Sequence, residues 1–211
     1  MKNLPQIMPV FPLQGAVMFP NTYLPLNIFE PRYLKMIDYS MSQKNRLIGM
    51  IQPKISRDKN ENVDLYNVGC AGRIIKFEET EDSRYLITLK GVSRFNLLSD
   101  ITNKENFREA KVNWNEFKDD LNEEGSNDSF VSLKKVLKDF FKLKKIKVNM
   151  EIIEACNDYN FVDQITMICP LILEEKQLLL ETKSINKRNN LLISIIESYL
   201  NEQNISNTLK H

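Results

Sequence analysis

Between Phe11 and Tyr33 the apolar residues run in short pieces cut by four prolines, Pro12, Pro20, Pro25 and Pro31. Each proline fixes its own φ and pushes the preceding residue towards extended backbone, so no continuous helix fits before Glu30. Tyr23, Leu24, Leu26, Ile28 and Phe29 predict a strand, buried or at an edge, with Pro25 tolerable only where no ladder donor is needed. Phe29 is expected in the core. The period then changes. Pro31 suits the first turn of a helix, Glu30 can stand at its start, and Tyr33, Leu34, Met36 and Ile37 give it an apolar face as far as Gln43.

The pattern either side of this stretch predicts a sheet. Ile7, Val10 and Phe11 make a first short strand, and Leu47–Ile51, ended by Pro53, a central one. In Val68–Phe77, Gly69 and Gly72 mark a bulge or a close backbone approach. Arg84–Lys90 alternates with period two, Gly91 is expected to turn the chain into Val92–Leu98, and Phe107–Trp114 alternates again to close the sheet. Residues 56–62 are polar and predict a surface loop. Residues 118–128 are acidic, contain Gly125 and lack an apolar period, which predicts a linker.

Everything after that stretch has helical spacing. Ser126, Asn127 and Asp128 can cap a helix whose apolar face holds Phe130, Leu133, Val136, Leu137, Phe140 and Phe141. Its other face carries Lys134, Lys135, Lys138, Lys142 and Lys145, expected to be solvated. Shorter helices follow from Met150, broken at Asn157–Asp158, then from Phe161 to Pro170, and over Glu174–Glu181, where acidic residues stand in the first turn. A long last helix follows Ser184, and the polar tail from Asn201 is expected to fray.

Composition narrows the function by exclusion. A net charge of +1 gives no global case for nucleic acid or an anionic membrane. No apolar run approaches the ~20 residues of a spanning helix, and Met1–Gln6 lacks a signal-peptide core, so the expected location is the cytoplasm. Cys70, Cys156 and Cys169 contain no C-x-x-C, which predicts buried reduced thiols rather than a disulfide framework or a zinc site. The single histidine is His211, the last residue, so no histidine-based triad or metal set can be written. No G-x-x-x-x-G-K-[ST] phosphate loop occurs. Glu78-Glu79 and Asp119-Asp120 sit in polar sequence and are expected to be solvated. Gly69 and Gly72 also spell G-x-x-G, but an RNA-clamping loop lies between helices with basic neighbours, and these lie in a strand pattern. No catalytic, cofactor-binding or metal residue is assigned.

The ordered pieces FPLQGAVMFPNTYLPLNIFEPRYLKMI (Phe11–Ile37), VGCAGRI (Val68–Ile74), LKGVSRFNL (Leu89–Leu97) and PLILEEKQLLLE (Pro170–Glu181) resemble the N-terminal, substrate-binding domain of the Lon protease family. The resemblance implies an α+β protein: a PUA-like β pseudo-barrel with one short helix over 1–117, a linker over 118–128, and an antiparallel α-helical bundle over 129–211. It implies a free-standing, non-catalytic member without the ATPase and protease modules and without a cofactor. Its partners would be unfolded or peptide segments, an AAA+ protease or another protein, with no membrane. The alternative is a PUA-like module binding nucleic acid, chiefly RNA. The peptide-binding residues it implies are Phe19, Tyr23, Leu24, Glu30 and Arg32. Each also has a structural reading: the aromatic residues as core, and Glu30 with Arg32 as an ion pair that caps the short helix and pins it to the sheet.

Overall fold

The computed structural model describes residues 4–54, 63–121, 130–156 and 159–208. The expected surface loop, most of the expected linker with its capping residues, the break at Asn157–Asp158 and His211 lie outside these residues.

Six strands among the described residues form one sheet: β1 (Ile7–Pro12), β2 (Tyr23–Ile28), β3 (Leu47–Ile51), β4 (Val68–Glu79), β5 (Tyr85–Thr102) and β6 (Arg108–Asn113). Their order is β2-β5-β4-β3-β1-β6, and β6 pairs also with the second half of β5, so five strands close into a ring. Only β1 and β3 run parallel. Inside lie Met8, Val10, Leu47, Ile51, Phe95, Val112 and Trp114, all buried. All five residues of β3 are buried, as its continuous apolar run predicts. Helix α1 (Pro31–Ser42) has Pro31 in its first turn and buries Tyr33, Met36 and Ile37.

Gly91 does not turn the chain. β5 passes through it as one 18-residue strand, and Gly91 instead lets another segment cross. A Cβ there would stand 1.9 Å from the Phe19 carbonyl oxygen. Asn21 N donates to Gly91 O at 3.0 Å and Gly91 N to Thr22 O at 2.9 Å, which fixes the crossing. The Thr22 hydroxyl donates to Phe19 O at 2.7 Å and closes the turn. Gly72 lies at a register shift in the β4–β5 ladder, as expected of a bulge, and its missing Cβ makes room for Met18.

By contact the chain forms two units: Met1–Glu123 with Pro170–Glu181, and Glu124–Cys169 with Thr182–His211. The first therefore contains helix α5 (Leu173–Glu181), which the sequence pattern groups with the later helices. Polar bonds hold α5 to the sheet. Gln52 Nε2 donates to Gln177 Oε1 at 3.0 Å and to Leu173 O at 3.2 Å, and Gln177 Nε2 donates to Val68 O at 3.1 Å. Lys176 Nζ donates to Gly15 O at 3.1 Å. Arg94 completes the attachment, donating through Nη1 to Leu180 O at 3.0 Å.

Arg94 also overturns the expected solvation of Asp120, while Asp119 is exposed as expected. Asp120 is buried at the end of a 3-10 helix (Asn115–Leu121). Its Oδ1 accepts from Arg94 Nη2 at 2.7 Å, and its Oδ2 from Arg94 Nε and the Arg94 backbone N, both at 2.9 Å. Phe117 covers the guanidinium at 4.5 Å. Two ions survive burial because their charges and nearly all their hydrogen-bonding capacity are met together.

The second unit holds α2 (Val131–Leu143), α3 (Met150–Ala155), α4 (Phe161–Ile168) and α6 (Ile185–Thr208). Helix α2 packs on α6, with Phe140 and Tyr199 ring centroids 5.6 Å apart. Helix α4 meets α6 through a buried ion pair, Arg188 Nε to Asp163 Oδ1 at 2.7 Å and Nη2 to Oδ2 at 2.9 Å.

Candidate functional site

β2 ends the sheet and pairs with β5 alone among the described strands, in register from Tyr23↔Lys90 to Ile28↔Tyr85. Pro25 therefore occupies an edge strand, where its missing N–H is tolerated. The pairing of β3 with β4 stops at Leu47↔Arg73. Beyond it, β2, the first half of β5 and the second half of β4 continue as a three-stranded arm ending at the Glu79–Tyr85 turn.

Alternation along β2 decides which side chains this arm offers. Ile28 is buried and Leu24 and Leu26 half-buried, while Tyr23, Pro25 and Asn27 face out. The next residue outward in period is Phe29, 62% exposed, so its expected core position is wrong; it continues the outer row of the strand. Arg84 lies 5.8 Å over its ring. Tyr23 is 57% exposed at the other end of the strand. Phe77, also exposed, packs edge-on against Tyr85 at 4.9 Å.

The residues implied as peptide contacts are brought together only in part. Glu30 and Arg32 form an ion pair, Nη2 to Oε2 at 3.0 Å, with both side chains about half exposed. With Phe11, Leu26, Phe29 and Tyr33 they line a depression of about 280 Å³. The pair does not pin α1 to the sheet, since it joins neighbours of one segment, and the Glu30 side chain makes no capping bond. The helix starts instead on the Glu30 carbonyl, which accepts from Tyr33 N at 2.9 Å and Leu34 N at 3.0 Å. Tyr23 and Leu24 stand at the far end of β2. Phe19 is fully buried beneath the Thr22 turn and presents no surface.

Tyr33 is the titratable group of this depression with a displaced pKa. Burial against Phe11, whose ring centroid is 4.3 Å away, pushes the phenol above its ordinary value, partly offset by the Arg32 guanidinium. Among the described residues no group of three or more His, Cys, Asp or Glu side chains could hold a metal ion, and no helix is long and apolar enough to cross a membrane.

The family model of the ATP-dependent protease La (LON) substrate-binding domain matches residues 7–198. The chain belongs to this family. Lon protease of Buchnera aphidicola subsp. Acyrthosiphon pisum (strain APS) is 26% identical over 211 residues, covering 96% of the chain and 26% of the relative. Lon protease of Escherichia coli (strain K12) is 25% identical over 212 residues with the same coverage. The chain thus spans about a quarter of the length of these Lon relatives. In fold it is similar to the N-terminal domain of the Mycobacterium avium complex Lon protease, with TM-score 0.64 and 14% identity over 90% of the chain and 98% of that domain. It is also similar to the Lon N-terminal domain protein of Xanthomonas campestris, with TM-score 0.61 and 20% identity over 89% and 97%. None of these comparisons supports the nucleic-acid alternative.

Proposed function

We propose that this Lon-type domain is a non-catalytic receptor for unfolded polypeptide segments, holding them along the outer edge of β2. The ring of strands is a PUA-like pseudo-barrel in this reading, and the second unit an antiparallel helical bundle. The observation that carries it is the outer edge of β2, which no other described strand pairs and which exposed Tyr23 and Phe29 flank. A sheet edge accepts an extended segment through main-chain hydrogen bonds whatever its sequence, and aromatic neighbours add affinity without strict selectivity. Glu30 and Arg32 orient the end of the segment beside Phe29, Leu24 lies beneath its path, and Phe19 supports the turn that leads into β2. Such a contact gives micromolar binding, about −8 kcal/mol, suited to a partner AAA+ protease that must take over many different chains.

The test is an NMR titration with a chemically unfolded polypeptide. Shifts are expected at Tyr23, Phe29, Glu30, Arg32 and the Arg73–Phe77 part of β4, and Tyr23→Ala should weaken binding while leaving the thermal transition nearly unchanged. Shifts confined to α2, α3, α4 and α6, or none at all, would overturn the reading.

A further inference from the structure

The outer face of the β2–β5–β4 arm carries a charge arrangement that the fold does not require. Arg73 of β4 and Lys90 of β5 are directly opposite each other, and Tyr23 of β2 is directly opposite Lys90, so the three stand in one row across the arm. Like charges placed opposite in a ladder destabilise it. Neither Arg73 nor Lys90 has an ion-pair or side-chain hydrogen-bond partner among the described residues. Asp120 lines the same depression, but both its oxygens are occupied by Arg94.

The surface around this row is a trough. Two adjoining depressions, of about 740 and 260 Å³, share Ile75. The larger is lined towards the tip of the arm by Pro25, Leu86 and Thr88, with Lys76 directly opposite Thr88 and Glu78 directly opposite Leu86. The smaller is lined by Asn21, Arg73, Lys90 and Asp120. Ile75 and Leu86 are exposed. The trough is therefore mixed in one half, where Ile75 and Leu86 stand beside Lys76 and Glu78, and cationic in the other, where Asp120 is already neutralised by Arg94.

We infer that this trough takes an extended polypeptide segment whose apolar side chains lie over Ile75 and Leu86 and whose acidic side chain, or two adjacent ones, meets Arg73 and Lys90. The inference rests on the reading above that the β unit binds polypeptide, and it adds the chemistry the unit selects. A carboxylate between Arg73 and Lys90 turns a repulsive pair into a shared bridge, so part of the binding free energy comes from relieving a conflict present in the free protein. Glu78 towards the tip of the arm favours a local acidic spot over a polyanion. A phosphate backbone laid along the trough would satisfy the central cations but meet the carboxylate of Glu78 towards the tip of the arm.

The experiment is fluorescence anisotropy on the full chain with a labelled peptide, apolar at one end and carrying adjacent aspartates at the other. A counterpart has asparagines in their place. The aspartate peptide is expected to bind about tenfold more tightly at low salt. In the Arg73→Gln/Lys90→Gln variant the two peptides should bind alike, and the variant's thermal midpoint should be equal to or above that of the unaltered protein, which separates a lost contact from a lost fold. Arg73→Glu/Lys90→Glu should instead prefer a lysine-bearing peptide. Equal binding of both peptides by the unaltered protein overturns the inference and leaves the polypeptide receptor standing. Failure of both peptides and of the chemically unfolded polypeptide removes the parent reading as well. Tighter binding of a labelled oligouridine, falling steeply with salt, overturns the assignment to polypeptide.

Discussion

Phe29 and Phe95 are both strand-associated phenylalanines, yet their replacement should have opposite consequences. Phe29 is largely exposed and Phe95 fully buried. Phe29→Ala should change stability by no more than about 1 kcal/mol, while Phe95→Ala should cost about 3–5 kcal/mol, both read from urea unfolding at equal m-values. Tyr33 adds a pH dependence. Its folded pKa is raised by burial, so its contribution is present below the unfolded tyrosine value of about 10 and is lost as pH rises through the folded value. Stability should decline at alkaline pH, and a Tyr33→Phe variant should lose that part of the decline in urea midpoints. At this scale the sequence was informative wherever alternation or proline governed. The outward position of Phe29 could have been counted from Leu24, Leu26 and Ile28, since period two leaves no choice. The Arg94–Asp120 pair could not. Arg94 lies beside Phe95 in an alternating strand and Asp120 in a run of charges, and only the 3-10 helix and α5 folding over β5 bury both.

Among the elements, α1, β2 and β3 have ends that local chemistry sets, and the pattern places them within a residue or two of those observed. Gly91 shows where local reading stops. A glycine between two alternating runs has the signature of a turn, but here it marks a crossing, a property of the segment Phe19–Thr22 rather than of β5. Gly91→Ala would drive a Cβ against the Phe19 main chain, and a cost of about 1–3 kcal/mol or more is expected. Gly91→Ala should also shift the amide resonances of Asn21 and Thr22, which hydrogen-bond across the glycine or flank it; unchanged resonances there would show that the crossing is not what the glycine serves. Helix α5 was visible as a helix but not as part of the sheet's unit. Its buried residues are Lys176 and Gln177 beside Leu173, Leu179 and Leu180, and the polar pair interrupts the apolar stripe that would indicate which partner the helix meets.

Across the whole molecule, the β unit is made from two separated stretches of chain. A specific protease site introduced into residues 122–129 and then cut should give fragments that co-elute under native conditions, because the C-terminal piece still supplies α5 to the sheet; denaturant should part them. Separate elution of the native fragments would show that α5 contributes little to the attachment. The same discontinuity has a consequence for synthesis on the ribosome. Chains emerge from the N-terminus and domains generally fold as units. The β unit cannot be completed when Glu123 emerges, because Gln52, Val68 and Arg94 await groups that arrive only with α5. The roughly 60 residues up to Glu181 take about 3–12 s at about 5–20 residues per second. During that interval the nascent sheet exposes the surface α5 will cover, making this a chain whose first-made half depends on its later half to finish folding and gives nascent-chain chaperones a defined interval in which to act.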